Sequence, residues 1–441
     1  MKYLLSVVLF ASANLMVFAQ HEHHDMATMA MPMDSVPVMS HSFSKNLPMN
    51  RNGSGTAWLP DATPLYAYMK HSKSWNFMFH GSIFLRYNWQ NFNNNYQRGG
   101  KQADAPNWLM GMAQRSVGNK GLLTLRLMMS LDRLTVGGNG YPLLFQSGET
   151  FGGKRLIDRQ HPHDLFSEVG VGYTHSFNEN ADVYAFVGYP GEPALGPTAF
   201  MHRISAFNNP DAPLGHHWQD ATHILFGVAT TGFRYKIFKI EGSVFTGREP
   251  DENRYDFDRA RFDSYSYRIS ANPNQHFSLQ FSQAFIKSPE NLEADENVVR
   301  TTASVIHAKQ ISENSHWNSA LVWGMNKKSD GDIEHSLLAE SNLQLSRIAV
   351  YGRYEFIQKS PQELDLQGFD QKAFGINALT LGLNYNLYRA WNTNLTVGVQ
   401  GSLFLPDRAL ENLYGKNPLS GQLYVRLSPA LLKLTSSAHR H

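Results

Sequence analysis

From Trp391 to Leu405 the chain reads WNTNLTVGVQGSLFL. In an extended chain successive side chains point to opposite faces. Trp391, Thr393, Leu395, Val397, Val399, Leu403 and Leu405 therefore share one face, and Asn392, Asn394, Thr396, Gly398, Gln400 and Ser402 share the other. The preceding stretch sets Leu379, Leu381, Leu383, Tyr385 and Leu387 against Thr380, Gly382, Asn384 and Asn386. GLLTLRLMMSLD at 121–132 repeats the pattern, with Met128 as an apolar exception on the polar face. Alternation sustained this long exceeds an ordinary soluble strand. It fits a tilted strand crossing a bilayer, with one face in lipid and the other in a wet lumen.

About sixteen such segments follow one another, as the alternating signature of membrane strands picks them out. They fall near 75–90, 107–115, 121–132, 165–177, 181–189, 221–234, 236–246, 262–271, 276–287, 297–311, 315–326, 336–345, 348–358, 374–388, 391–405 and 419–429. Short connections (SVGNK, NEN, NPNQ, SEN, SR) alternate with long ones at 133–164, 190–220, 247–261, 359–373 and 406–418. The fold class expected is all-β: a transmembrane antiparallel up-and-down barrel with a disordered periplasmic N-terminal arm, both termini periplasmic. Composition agrees, with 12% aromatic, 17% charged and 34 Gly residues. After the first residues no apolar run is long enough for a spanning helix. The formal net charge of +2 gives no electrostatic footprint for nucleic acid.

The polar face carries Arg86, Arg126, Glu168, Lys239, Glu241, Arg268, Arg353, Glu355 and Arg426. Facing lipid at mid-depth, an Arg or Lys costs about 2–4 kcal/mol, so these groups belong in the lumen. Trp75, Trp89, Trp317 and Trp391 stand near strand ends, where interfacial girdles form. The chain continues past Pro429 as ALLKLTSSAHRH, unlike barrels that finish on a terminal aromatic.

The first residues read as a secretory signal, 1–19: a basic start, an apolar run from Leu4 to Phe10, and small residues before Gln20. Zero Cys excludes a disulfide framework. The expected divisions are a Met/His-rich periplasmic arm, 20–74, a barrel, 75–429, and a tail, 430–441. The arm has no period and is broken by Pro32, Pro37, Pro48 and Pro60. NGSG within it lacks the Gly-Lys-Ser/Thr of a phosphate loop.

Two stretches carry ligand chemistry. The first supplies His21, His23, His24, Met26, Met29, Met31, Met33, Met39 and His41, with Met49 just beyond. Thioethers are soft and select Cu(I), and imidazole accepts Cu(I), Cu(II) and Zn; without thiolates, copper fits better than zinc. The second is DRQHPHD at 158–164, offering His161, His163 and Asp164. The next long connection adds His202, Asp211, His216, His217 and Asp220, with His223 just after it. A Pro between two His forbids one helical face, but an extended or turned chain can aim both at one ion. An ordinary polar loop with local hydrogen bonds is the alternative. No nucleophile elbow accompanies these residues.

The signal, the Met/His-rich start and a barrel without a lipidated Cys resemble the copper-resistance outer-membrane proteins of Gram-negative bacteria. NLPMNRNGSGTAWLPDATPLY (46–66) and DRQHPHDLF (158–166) also resemble uncharacterised outer-membrane proteins of Bacteroidetes-type bacteria. The resemblance implies a periplasm-facing metal-capturing arm on an outer-membrane pore, with copper as the ion. Outer-membrane lipid, metal ions and periplasmic metal-efflux components are the partners expected. The function expected is a non-enzymatic role in copper binding and tolerance. A passive porin for small polar solutes and an outer-membrane hydrolase stand as alternatives.

Overall fold

The computed structural model describes residues 39–95 and 97–433. The expected signal peptide and the ligands His21, His23, His24, Met26, Met29, Met31 and Met33 lie outside them, as does most of the tail. Sixteen antiparallel strands make a closed wall. In chain order they are β1 Trp75–Gln90, β2 Asn107–Val117, β3 Gly121–Met129, β4 Phe166–Asn178, β5 Ala181–Gly188, β6 Val228–Tyr235, β7 Phe238–Phe245 and β8 Ser264–Asn274. Then come β9 Phe277–Ile286, β10 Val298–Ser312, β11 Ser315–Lys328, β12 Ile333–Leu345, β13 Ile348–Lys359, β14 Phe374–Ala390, β15 Thr393–Pro406 and β16 Leu419–Pro429. Each expected segment corresponds to one strand. The strand expected over 221–234 starts later, at Val228, because Ala221–His223 wind into a single 3-10 turn.

Two short strands complete the wall at β1. Tyr68–Ser72 pairs with the start of β1 on the edge that β16 takes over, from Ile83↔Leu427 to Trp89↔Gly421. On the other edge β2 ends at Ile83↔Asn107, and Gly100–Asp104 continues beside Arg86–Gln90. Pro106 lacks an amide hydrogen and marks that break, although its carbonyl still accepts from Phe84 N at 3.0 Å. Beyond β16, Leu431 bridges to Tyr66, and Leu432 N donates to Leu65 O at 2.7 Å.

The alternation sorts by face as physics requires. Leu85, Leu125, Leu127, Val171, Ile240, Ile269, Leu321, Val350, Leu381, Val399 and Leu423 are exposed on the outside, a surface suited to lipid. Among the described residues no helix is long and apolar enough to cross a membrane. Inside, the charges pair: Arg126 with Glu168 at 3.0 Å, Lys239 and Arg268 with Glu241 at 2.9 Å each, and Arg353 with Glu340 at 3.1 Å.

The lumen is filled by the chain itself. The arm expected over 20–74 is, from Met39 to Ala67, threaded inside the wall. Its carbonyls and hydroxyls accept from inward side chains: Thr124 Oγ1 donates to Ser42 O at 2.7 Å, Arg268 Nη2 to Thr56 Oγ1 at 2.8 Å, and Asn272 Nδ2 to Leu59 O at 2.9 Å. Arg126 and Lys239 donate to Gly55 O and Thr56 O. A polar segment without a period has no lipid face to offer, and buried backbone must be paired, so it pairs with the lumen.

The β5–β6 connection crosses the same interior. Ala194 N donates to Ser243 Oγ (2.7 Å) on β7 and Gly196 N to Ser282 Oγ (2.9 Å) on β9. Farther along, Arg203 reaches Glu340 on β12 (2.8 Å), and Asp211 meets Arg86 on β1 (2.6 Å). Arg353 on β13 donates to Asp211 O (3.0 Å), and Tyr424 on β16 to Asn208 O (2.8 Å). Over this bridge folds a hairpin, Tyr141–Phe151 with Lys154–Gln160. Its Leu143, Leu144 and Phe145 pack with Trp218, Phe374, Phe404 and Tyr414.

Candidate metal centre

Three segments at the long-loop end bring five histidines into one buried cluster. His161 and His163 leave the hairpin on either side of Pro162, His216 and His217 open a one-turn helix, and His223 closes the 3-10 turn that follows. Ring centroids run His161–His163 6.2 Å, His163–His223 5.6 Å, His223–His216 5.1 Å and His216–His161 6.2 Å, a closed ring of four. His217 stands beside it, 5.7 Å from His161 and 5.3 Å from His216.

Each imidazole is held by its Nδ1. His163 meets Asp132 Oδ2 at 2.7 Å, His216 meets Asp220 Oδ1 at 2.6 Å, and His217 meets Glu249 Oε1 at 3.2 Å. His161 meets Glu149 Oε1 at 3.1 Å, and His223 donates to Asp220 O at 2.8 Å. With Nδ1–H directed at an acceptor, a ring that is neutral keeps Nε2 as a lone pair. All five Nε2 atoms are buried without a hydrogen-bond partner among the described residues. A buried acceptor without a donor costs about 1–3 kcal/mol, which five adjacent sites multiply. Imidazoles anchored at one nitrogen by carboxylate or carbonyl, with the other nitrogen free, have the anchoring found around metal-binding histidines.

The spacing is open. With metal–nitrogen bonds of 2.0–2.1 Å, imidazoles on one ion have centroids roughly 5–6.5 Å apart, which brackets these values. Yet among the described residues, three ligand atoms come within 4.8 Å of one another only at Asp251, Asp256 and Asp258, an acidic group near the surface. An ion at the histidines would therefore draw their Nε2 atoms inward.

Electrostatics keep most of the rings neutral. Burial, followed by the Arg254 charge, pulls His161 well below the ordinary imidazole value. Burial also lowers His216 against the pull of Asp220, and burial with His216 and His163 pushes His223 down to about 3. Burial acts on His217 too, but Glu249 outweighs it and its pKa is raised. Burial opposes the charge on Asp220; the hydrogen bond from His216 and the Arg203 guanidinium nevertheless hold it well below the usual carboxylate range.

Of the sequence-predicted ligands, His161, His163, His216 and His217 are brought together. Asp164 lies alongside, but its carboxylate is taken by Arg254 at 3.1 Å. Met39 and His41 sit elsewhere in the lumen. His41 Nδ1 accepts from Phe43 N at 3.0 Å, and Met39 packs among other methionines. The sequence reading did not include the anchors Asp132, Glu149 and Glu249; the first two share the β3–β4 connection with His161 and His163, the third lies between β7 and β8, and no motif surrounds them. Gly148 is also part of the site: its φ is +105°, and a Cβ there would lie 2.4 Å from the His217 ring.

Outward from His217 a small cavity is lined by Glu249, Glu290, Glu293, Glu296, Glu334 and Glu363, with Arg300 and Lys328. Its acidic majority makes it a cation-attracting vestibule on the loop side of the histidines.

No protein-family model matches the chain, and no curated protein matches it. Solved structures do. OmpF of Salmonella typhi, in complex with daunomycin, shares the fold at a TM-score of 0.51 and 10% identity, over 82% of this chain and 100% of that one. An anion-selective porin from Comamonas acidovorans does so at 0.50 and 10% identity, over 80% of this chain and 99% of that one. The chain is thus an outer-membrane-type barrel similar in fold to porins.

Proposed function

We propose that this porin-fold barrel is an outer-membrane metal-binding protein. In this reading its lumen holds a borderline first-row ion, copper foremost, at His161, His163, His216, His217 and His223. The observation that carries the reading is five buried Nε2 atoms without a hydrogen-bond partner among the described residues, each on a ring whose Nδ1 faces a carboxylate or carbonyl oxygen. Imidazole nitrogen suits Cu(II) and Zn(II), and the carboxylates behind the rings offset a divalent charge. The acidic vestibule supplies the approach, and the thioether-rich stretch 21–33 is a second store of copper ligands. Metal tolerance by sequestration follows from that chemistry. The long loops are assigned to the outside and the short turns to the periplasm, following other barrels.

The test is metal content and Cu(II) titration of the purified full chain beside His163→Asn with His223→Asn. Retained barrel folding with loss of a bound equivalent supports the reading; equal binding in both ends it. In cells, a deletion strain grown in graded copper is complemented with the full chain or with one lacking 21–38. The cut stops there because Met39 onward fills the lumen.

Passive passage of small polar solutes is the second reading, and the shared fold with porins favours it over copper binding. Against it stands the lumen filled by 39–67 and by the β5–β6 connection. Steady conductance of the intact chain in planar bilayers would establish it. The hydrolase alternative has little to stand on: among the described residues no serine hydroxyl bonds to any of the five imidazoles.

A further inference from the structure

A second cluster of metal-type donors lies in the half of the lumen filled by the N-terminal segment. Met78 on β1 faces Met112 on β2, His80 faces Met110, and Met110 in turn faces Met128 on β3. All are inward positions, so three adjacent strands place thioethers side by side on the lumen face, where the wall elsewhere mixes charged, hydroxyl and hydrocarbon side chains. Met39 and Met49 pack onto this row from the inserted segment, with Met69 and Met201 at its margin.

Between them is a cavity of about 50 Å³. Its lining includes Met78, Met110, Met112, Met201, His80 and His202, and no carboxylate. The His80 and His202 rings lie 5.5 Å apart, each against Trp108 at 5.3 and 4.7 Å. His80 Nε2 is buried and unpartnered. The nearby Arg126 charge is matched by Glu168 at 3.0 Å.

From this geometry we infer a second metal site, distinct from the five-histidine centre, in which Met78, Met110, Met112 and Met201 with His80 and His202 bind a soft monovalent ion, Cu(I) or Ag(I). The donor set decides the class of ion. Thioethers are soft and uncharged, and they select Cu(I) over harder divalent ions. A site without carboxylates leaves a divalent charge uncompensated in a buried place, whereas a single charge costs far less to hold there. An apolar core alone needs no imidazoles: leucines fill such space with better-defined rotamers, and two histidines add polar atoms that must be paired.

The two sites stand back to back. Phe200 packs on His216 and His223 at 5.5 and 6.5 Å, and the next two residues, Met201 and His202, line the thioether cavity. Asp220 ties the junction, accepting from Phe200 N at 3.0 Å and from Arg203 at 2.8 Å while it holds His216. The inference stands whether or not the five-histidine centre binds metal.

The test uses Ag(I), which is monovalent, soft and redox-inert, on the purified full chain. Met26, Met29, Met31 and Met33 are changed to Leu, and His21, His23 and His24 to Gln, so the N-terminal stretch contributes nothing. His163→Asn and His223→Asn remove the other centre. The expected result is one Ag(I) per chain, with shifted methyl resonances for Met78, Met110, Met112 and Met201. Adding Met110→Leu and Met112→Leu, which nearly conserve volume, should weaken Ag(I) at least 100-fold with the barrel still folded. The methyl shifts need no substitution in the thioether cavity, so they decide the matter even if that pair fails to fold. No Ag(I) bound in the background protein, or binding indifferent to the leucines, would mean the thioethers are packing and nothing more. Cu(II) titration of the chain with only the methionine pair changed reports the five-histidine centre separately.

Discussion

The Nδ1 of His216 lies 2.6 Å from Oδ1 of Asp220, one helical turn along the chain, with both side chains out of solvent. Asp220 also holds Arg203 at 2.8 Å, and Arg203 in turn holds Glu340 on the wall. The orientation of one imidazole is thus fixed to the barrel through two ion pairs. Asp220→Asn keeps the shape but removes the charge that fixes the tautomer. A carboxylate behind a ligating imidazole is worth roughly 10–100-fold in metal affinity. Cu(II) titration of the purified variant should show a loss of that order; an unchanged affinity would mean His216 is not a ligand.

In the metal-free protein the stability contributed by the neutral histidines should be lost in acid over a defined window. His223 is held at about 3 in the folded chain against an ordinary value of 6.5. Below 6.5 the unfolded chain takes up a proton that the folded chain refuses, so stability declines as pH falls from 6.5 toward 3. His161 and His216, also lowered, act in the same direction. His217 is raised, so its stabilisation is instead full in acid and fades as pH rises. The neighbouring carboxylates Glu149 and Asp164, raised by burial to about 7 and about 6, act the other way, so the histidine contribution is read as a difference. From pH 7 to pH 4 the urea midpoint of the metal-free chain should lose ground relative to that of His223→Asn; parallel profiles would contradict the burial of a neutral ring at His223.

Gly148→Ala tests the packing behind the site. Its backbone sits at φ +105°, where L side chains are strained, and the added methyl would meet His217 Cε1 and Nε2 at 2.4 Å. The ring must move away from Glu249. Metal affinity should drop by at least tenfold while heat-modifiable gel migration still reports a closed barrel. Full affinity would show that His217 is dispensable.

The wall was legible in the sequence and its contents were not, for one physical reason. A strand between lipid and lumen must alternate, and that constraint wrote all sixteen strands into the pattern. Segments 39–67 and 189–227 answer to no lipid face. Their polar, Pro-broken stretches read as arm and loop, although their carbonyls were the partners Arg126, Lys239 and Arg268 lacked. His161, His163, His216 and His217 stood out by density. His163 and Asp132 are 31 residues apart and His217 and Glu249 are 32 apart, so nothing local announced the anchors. Met128 did leave a trace, as an apolar residue on the polar face of β3 next to Arg126.

Replacing 193–222 by a short Gly-Ser linker should turn a closed barrel into a conducting one. The change removes Asp211 from Arg86 and Arg353 and Arg203 from Glu340, and lets water into the lumen. Planar-bilayer recordings should show stable steps for the replaced chain and none for the intact one. Equal conductance in both would mean the crossing segment does not block passage.

The seam beside β1 sets an order of events. It joins Tyr66 to Leu431 and Leu65 to Leu432, so the wall cannot shut until nearly the whole chain has been made. Residues 39–67 precede every strand of the wall in sequence and end up inside it, held by inward side chains of β3, β7 and β8. Closure of the wall and burial of that segment are therefore coupled: opening the seam exposes the segment, and withdrawing the segment strips Arg126, Lys239 and Arg268 of acceptors.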